Sequence, residues 1–223
     1  MRTSPLKIIA AAVLAVSATG SQALTCTLHA SNVGIDAGSF SCAEAGGIIT
    51  IRETYSSSGM GSIVFSGLTL DTNYIVRKFI TNDSGVAWTR FANELLDPAG
   101  QANDDLDPKP YPGFVPPGFT TSNDNDGLSF AQGSGIPRTS SVWASVISDE
   151  LSDARDFIDF FNGSLASGST DSFMTFGLRN SQGANHPFLL VQRPNEASRL
   201  PEPASLLLVG LALAGLGVSR RRG

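Results

Sequence analysis

Hydrophobic and polar positions alternate in short runs through the middle of the chain. Asn73–Thr81 (NYIVRKFIT) is the clearest run: Tyr74, Val76, Lys78 and Ile80 fall on one face of an extended strand, and Ile75, Arg77 and Phe79 on the other. Gly47–Thr54 and Ser62–Leu70 are β-branched segments bounded by glycines, and Val86–Leu95 resumes the pattern after Asn82-Asp83-Ser84-Gly85. That turn cluster predicts a hairpin joining Asn73–Thr81 to Val86–Leu95. Later strand candidates are Leu128–Ala131, Val142–Ile147, Asp156–Phe161, Phe173–Leu178 and Phe188–Gln192. About nine short strands separated by turn signals predict a mainly β chain, a single β-sandwich. Ser148–Phe161 also admits a helix start, because Asp149, Glu150 and Asp153 suit a first turn.

Residues 97–127 break this rhythm. They hold six of the chain's 12 prolines, Pro98, Pro108, Pro110, Pro112, Pro116 and Pro117, together with many aspartates. Proline at that density argues against central strands and regular helices. A loop of this length is either functional or disordered. Tyr111, Phe114 and Phe119 would anchor it as an ordered lid; the polar composition would suit disorder.

The two ends differ from the middle. Residues 1–23 open with Arg2 and Lys7, continue through an apolar stretch from Ile8 to Val16 and end in Ser21-Gln22-Ala23. This is the layout of a secretory signal peptide, with cleavage by signal peptidase expected between Ala23 and Leu24. Lipid attachment at Cys26 fits less well, since Thr25 stands where a small residue is needed. Residues 201–223 run Pro201-Glu202-Pro203, an uncharged stretch from Ala204 to Val218, then Arg220, Arg221 and Arg222. As a helix that stretch would reach roughly 22 Å, short of a hydrocarbon core of ~30 Å. Arginines beside it resist translocation, so it is expected to hold the chain in the membrane as a short helix. A helix of the domain core would show a polar face, and this stretch has none.

Pro-Glu-Pro, a short apolar span and a terminal arginine cluster together resemble the PEP-CTERM sorting signal of Gram-negative bacteria. The Asn73–Leu95 stretch, with N-Y-x-V followed by N-D-S-G-x-x-W, is also similar to segments of other PEP-CTERM ectodomains. The resemblance implies an exported protein processed near the tripeptide by exosortase, a membrane protease-transpeptidase. It implies delivery to the envelope, the outer surface or the extracellular matrix, and association with exopolysaccharide or biofilm. The signal covers residues 201–223 and leaves the chemistry of residues 24–200 to be read from their own composition.

That ectodomain carries 10 lysines and arginines against 19 aspartates and glutamates, a formal net charge of −9. Such a balance is unsuited to nucleic acid or an anionic membrane surface, and suits polysaccharide surroundings or divalent cations. Cys26 and Cys42 are the only cysteines. In an oxidising compartment an even count predicts a disulfide, and with only His29 nearby they make a poor metal set.

Chemistry is sparse. His29 and His186 are the only histidines, no G-x-S-x-G occurs, and the many carboxylates carry no specific spacing. No cofactor is required by anything in the sequence. A calcium site is the one metal candidate: Asp124, Asp126 and Gly127 match the third, fifth and sixth positions of a calcium loop. Ser122 and Gly133 fall where such a loop needs Asp and Glu, so it is not an EF-hand. The sequence therefore predicts a non-enzymatic exported surface or matrix protein. A secreted hydrolase acting on glycans, using paired carboxylates, is the alternative.

Overall fold

A computed structural model describes residues 23–98, 115–122, 127–150, 155–182 and 186–195. In chain order its strands are β1 (Thr25–Leu28), β2 (Ser41–Ala45), β3 (Ile48–Tyr55), β4 (Gly61–Ser66), β5 (Tyr74–Asn82), β6 (Trp88–Pro98) and β7 (Phe119–Thr121). Then come β8 (Leu128–Ser129), β9 (Thr139–Ser140), β10 (Ser145–Asp149), β11 (Phe157–Leu165), β12 (Ser169–Asn180) and β13 (Phe188–Pro194). The protein is mainly β, and the described residues include no helix.

Two sheets form. The first has the order β1-β4-β13-β6-β11-β10, with β7 on the end of β6; the second has β2-β3-β5-β12-β8, with β9 on β12. Every pairing is antiparallel except β3 with β5. Alternation then decides burial. Ile49, Ile51, Val76, Met174 and Phe176 of the second sheet meet Phe65, Phe188, Leu190, Phe91 and Phe160 of the first in one buried cluster. This is the face-to-face arrangement expected of a sandwich core.

A smaller apolar cluster lies on the opposite side of the first sheet. Leu96, Leu189 and Val191 are buried there under Val115 and Phe119. The prolines of the 97–127 segment therefore do not keep strands out of it: β6 runs to Pro98, and Phe119–Thr121 pairs with its end. Phe119 acts as the expected anchor, with the His29 ring edge-on to it at 5.3 Å. Tyr111 and Phe114 lie outside the described residues.

The expected hairpin is replaced by a corner. β5 belongs to the second sheet and β6 to the first, so residues 82–87 carry the chain across the sandwich. Asn82 organises this passage by donating to the Val86 carbonyl at 2.8 Å and the Leu165 carbonyl at 2.9 Å. Its Oδ1 accepts from the Ser84 amide at 3.0 Å, and Gly85 takes a φ of 84°. One side chain thus binds carbonyls of the turn and of β11, and β5 and β6 part into different sheets. At Ser148–Phe161 the described residues are strand rather than helix, with β10 and β11 pairing from Asp149 opposite Phe157.

Cys26 and Cys42 are joined, with Cα atoms 5.9 Å apart. β1 and β2 are edge strands of different sheets, so the disulfide closes the sandwich along one side. Thiol labelling of the denatured, unreduced protein is expected to modify neither cysteine. Replacing both by serine is expected to cost up to roughly 3 kcal/mol, read as a lower denaturant midpoint. Labelling of both in the unreduced protein would contradict the bridge.

Candidate functional site

Outward-facing side chains of the first sheet line a concave surface where β11 meets β6. β11 slips register against β6 between Phe161 and Leu165, and Asn162 sits in that bulge with a φ of 59°. A bulge re-aims side chains that a regular ladder would point along the sheet. The result is a surface groove of about 500 Å³ lined by Thr89, Arg90, Phe161, Asn162, Gly163 and Asn195. Arg90 holds its guanidinium over the Phe161 ring, 5.2 Å from the centroid. Asn162 Nδ2 donates to Ser145 Oγ at 2.8 Å, and Asn195 Oδ1 accepts from the Thr89 amide at 2.8 Å. Gly163 has no room for a side chain, because a Cβ there would lie 2.1 Å from the Val142 carbonyl oxygen. The groove thus gathers a guanidinium laid over an aromatic ring and two carboxamides.

Buried carboxylates elsewhere are held by specific partners. On the same side of the first sheet, Glu94 accepts from Arg155 Nε at 2.6 Å and from Arg193 at 2.7 Å. Inside the sandwich, Glu53 lies 2.7 Å from Lys78 Nζ, both fully buried. Asp171 accepts from Ser140 Oγ at 2.7 Å and from the Ser141 amide at 3.1 Å, which docks β9. A second, smaller pocket of about 210 Å³ is lined by Ser129, Gln132, Glu150, Arg179 and neighbours. Burial pushes the Glu150 carboxyl above its ordinary range, against the opposing pull of Arg138 and the Gln132 amide.

The two histidines stay apart from any such arrangement. His29 Nδ1 accepts from the Ser31 amide at 3.1 Å within a two-residue turn, and Ser31 Oγ passes on to Ser62 Oγ at 3.0 Å. His186 stands just ahead of β13.

A family model described as the PEP-CTERM protein-sorting motif matches residues 200–222. The chain carries a PEP-CTERM sorting signal. It marks an exported protein, sorted by exosortase to the cell envelope or outer surface. No curated protein and no solved structure matches the chain. The PEP-CTERM match spans Pro201, Glu202, Pro203 and the arginines 220–222, all of which lie outside the described residues, as do residues 1–22. Of the expected signal cleavage pair, Ala23 and Leu24 open the described region, and Leu24 packs against the core.

Asp124 and Asp126, the calcium candidates, also lie outside the described residues. Among the described residues no group of three or more His, Cys, Asp or Glu side chains is placed to hold a metal ion. No described helix is long and apolar enough to cross a membrane. Among the described residues the disulfide pair is brought together as the sequence predicted. The groove at the bulge was missed, although Asn162-Gly163 in the string FFNGSL is the local trace of it, a turn pair inside a strand.

Proposed function

We propose that this PEP-CTERM protein is a non-enzymatic component of the bacterial surface or extracellular matrix that associates with exopolysaccharide. Signal peptidase would release it between Ala23 and Leu24 before exosortase acts on the tail. The observation that carries the reading is the bulge groove on an exported sandwich. The planar guanidinium that Arg90 lays over Phe161 offers a sugar ring a stacking surface, and the held carboxamides of Asn162 and Asn195 orient its hydroxyls. Arg90 adds a partner for acidic sugars, set on an otherwise acidic ectodomain.

One observation favours the glycan-acting hydrolase as the second reading. Glu150 is the carboxylate among the described residues of its pocket, and its burial favours the protonated form that a general acid needs. One assay separates the two. Protein exported by its own host is passed over that host's polysaccharide immobilised on beads, and the same polysaccharide is assayed for new reducing ends. Retention without new reducing ends is expected, falling at least tenfold in an Arg90→Ala, Phe161→Ala double variant. New reducing ends, lost in Glu150→Gln, would replace the binding reading with the hydrolase.

A further inference from the structure

A polar cluster sits at the centre of the sandwich, where it contributes nothing to the surface groove. Lys78 and Glu53 reach inward from the second sheet, Asn93 and Gln192 from the first. Their contacts fix how the sheets face each other. Gln192 Nε2 donates to Glu53 Oε2 at 3.2 Å, so β13 lies over β3. The Asn93 amide reaches Met174 Sδ at 3.9 Å, and Met174 is the strand partner of Lys78. Lys78 Nζ in turn lies 4.9 Å from the centre of the Phe91 ring, two residues before Asn93 on the same face of β6. Met174 and Phe91 therefore place the lysine and the asparagine in the same part of the core, one on each sheet.

Neither group is well satisfied. Asn93 Oδ1 is buried without a hydrogen-bond partner, and its Nδ2 has only a 3.4 Å contact to the Ile158 carbonyl besides the sulfur. Native interiors seldom leave a carboxamide this way. The only ion partner of Lys78 among the described contacts is Glu53, at 2.7 Å. Tyr55, Trp88 and Trp143 pack round Phe91 with ring centroids 5.1 to 5.9 Å apart along the chain of contacts, which keeps water out.

We propose that Lys78 and Asn93 become joined by an isopeptide bond, with Glu53 carrying the proton. The neutral amine attacks Cγ of Asn93 and passes one proton to the Glu53 carboxylate. Glu53 returns that proton to the amide nitrogen as the carbon–nitrogen bond breaks. Ammonia leaves, an Nζ–Cγ amide remains, and no oxidant or other reactant takes part. The acid–base group must touch the attacking amine, and Glu53 does. Burial also pushes Lys78 down towards the neutral form that attack requires, while Glu53 opposes the shift. The bond would tie β5 of one sheet to β6 of the other through the core.

Mass spectrometry of the exported protein, reduced and alkylated, reads the result directly. The expected chain is lighter by one ammonia than its sequence. After trypsin, Lys78 stays uncut and the peptide Lys78–Arg90 is found linked through Asn93 to the peptide beginning at Phe91. Glu53→Gln and Asn93→Ala are expected to restore the missing ammonia and cleavage after Lys78. The unmodified protein decides the matter even if a variant fails to fold. Full mass with cleavage after Lys78 overturns the proposal, and a branch at Gln192 overturns the choice of acceptor.

Discussion

Mature protein recovered from the surface of an exosortase-containing host is expected to lack residues 204–223. A Pro201→Ala, Glu202→Ala double variant is expected to remain in the membrane fraction as full-length precursor. Three features of the matched signal lead to this outcome. The uncharged run from Ala204 to Val218 is too short for comfortable spanning, since 15 residues reach roughly 22 Å against a core of ~30 Å. Arg220, Arg221 and Arg222 are expected to keep their end on the cytoplasmic side. Pro201 and Pro203 disfavour a helix, so the tripeptide is expected to be extended, where an external-face enzyme would reach it. A permanent anchor would need the apolar run but not the tripeptide. Mass spectrometry of the surface fraction separates the cases: the intact Arg-Arg-Arg-Gly end on mature protein would rule processing out.

The strands that were legible in the sequence are those whose alternation is carried by large apolar residues. β5 is the best case, because Tyr74, Val76 and Ile80 are buried as their parity requires. The same parity placed Lys78 among them, so the buried lysine left a trace in the sequence. Its partner did not: Glu53 falls in register with Ile80 of β5 only because β3 runs parallel to β5, a pairing no local pattern encodes. β1 (TCTL) and β2 (SCAEA) are small and polar, and they become strands through edge pairing and the disulfide. The turn at Asn82–Gly85 was visible as a turn. Whether its strands pair or part depends on Leu165, 83 residues away from Asn82, whose carbonyl the Asn82 side chain binds.

The candidate site was hidden for a related reason. Arg90, Phe161 and Asn195 come from three different strands or strand ends, and only the order β13-β6-β11 makes them neighbours. Separation along the chain erases such a constellation from any window of sequence. The tail is the opposite case, since its signal is contiguous and its meaning lies in composition and order alone. Delivery was therefore readable where recognition was not.

The largest loss of stability from a single substitution outside the central cluster is expected at Glu94→Ala. Glu94 is 1 % exposed and receives both Arg155 and Arg193, whose side chains are themselves 10 % and 3 % exposed. Each carboxylate oxygen has its own guanidinium, at 2.6 Å and 2.7 Å. Removing the anion takes an ion partner from two guanidinium groups in a place water scarcely reaches, and breaking a buried pair in this way costs about 3–5 kcal/mol. For a domain of this size that corresponds to a fall in Tm on the order of 10 °C. High salt is expected to recover little of it, because screening acts on exposed charge. The arginines make further interactions of their own, so they stay in place rather than swinging out. In an Arg193→Met background the same Glu94→Ala change is expected to cost less, since one of the two ion pairs is already gone, and the difference measures the coupling. Denaturant unfolding of the four proteins of this cycle gives the numbers. A Glu94→Ala protein within about 1 kcal/mol of the parent would mean that water reaches the guanidinium groups, as at an exposed ion pair.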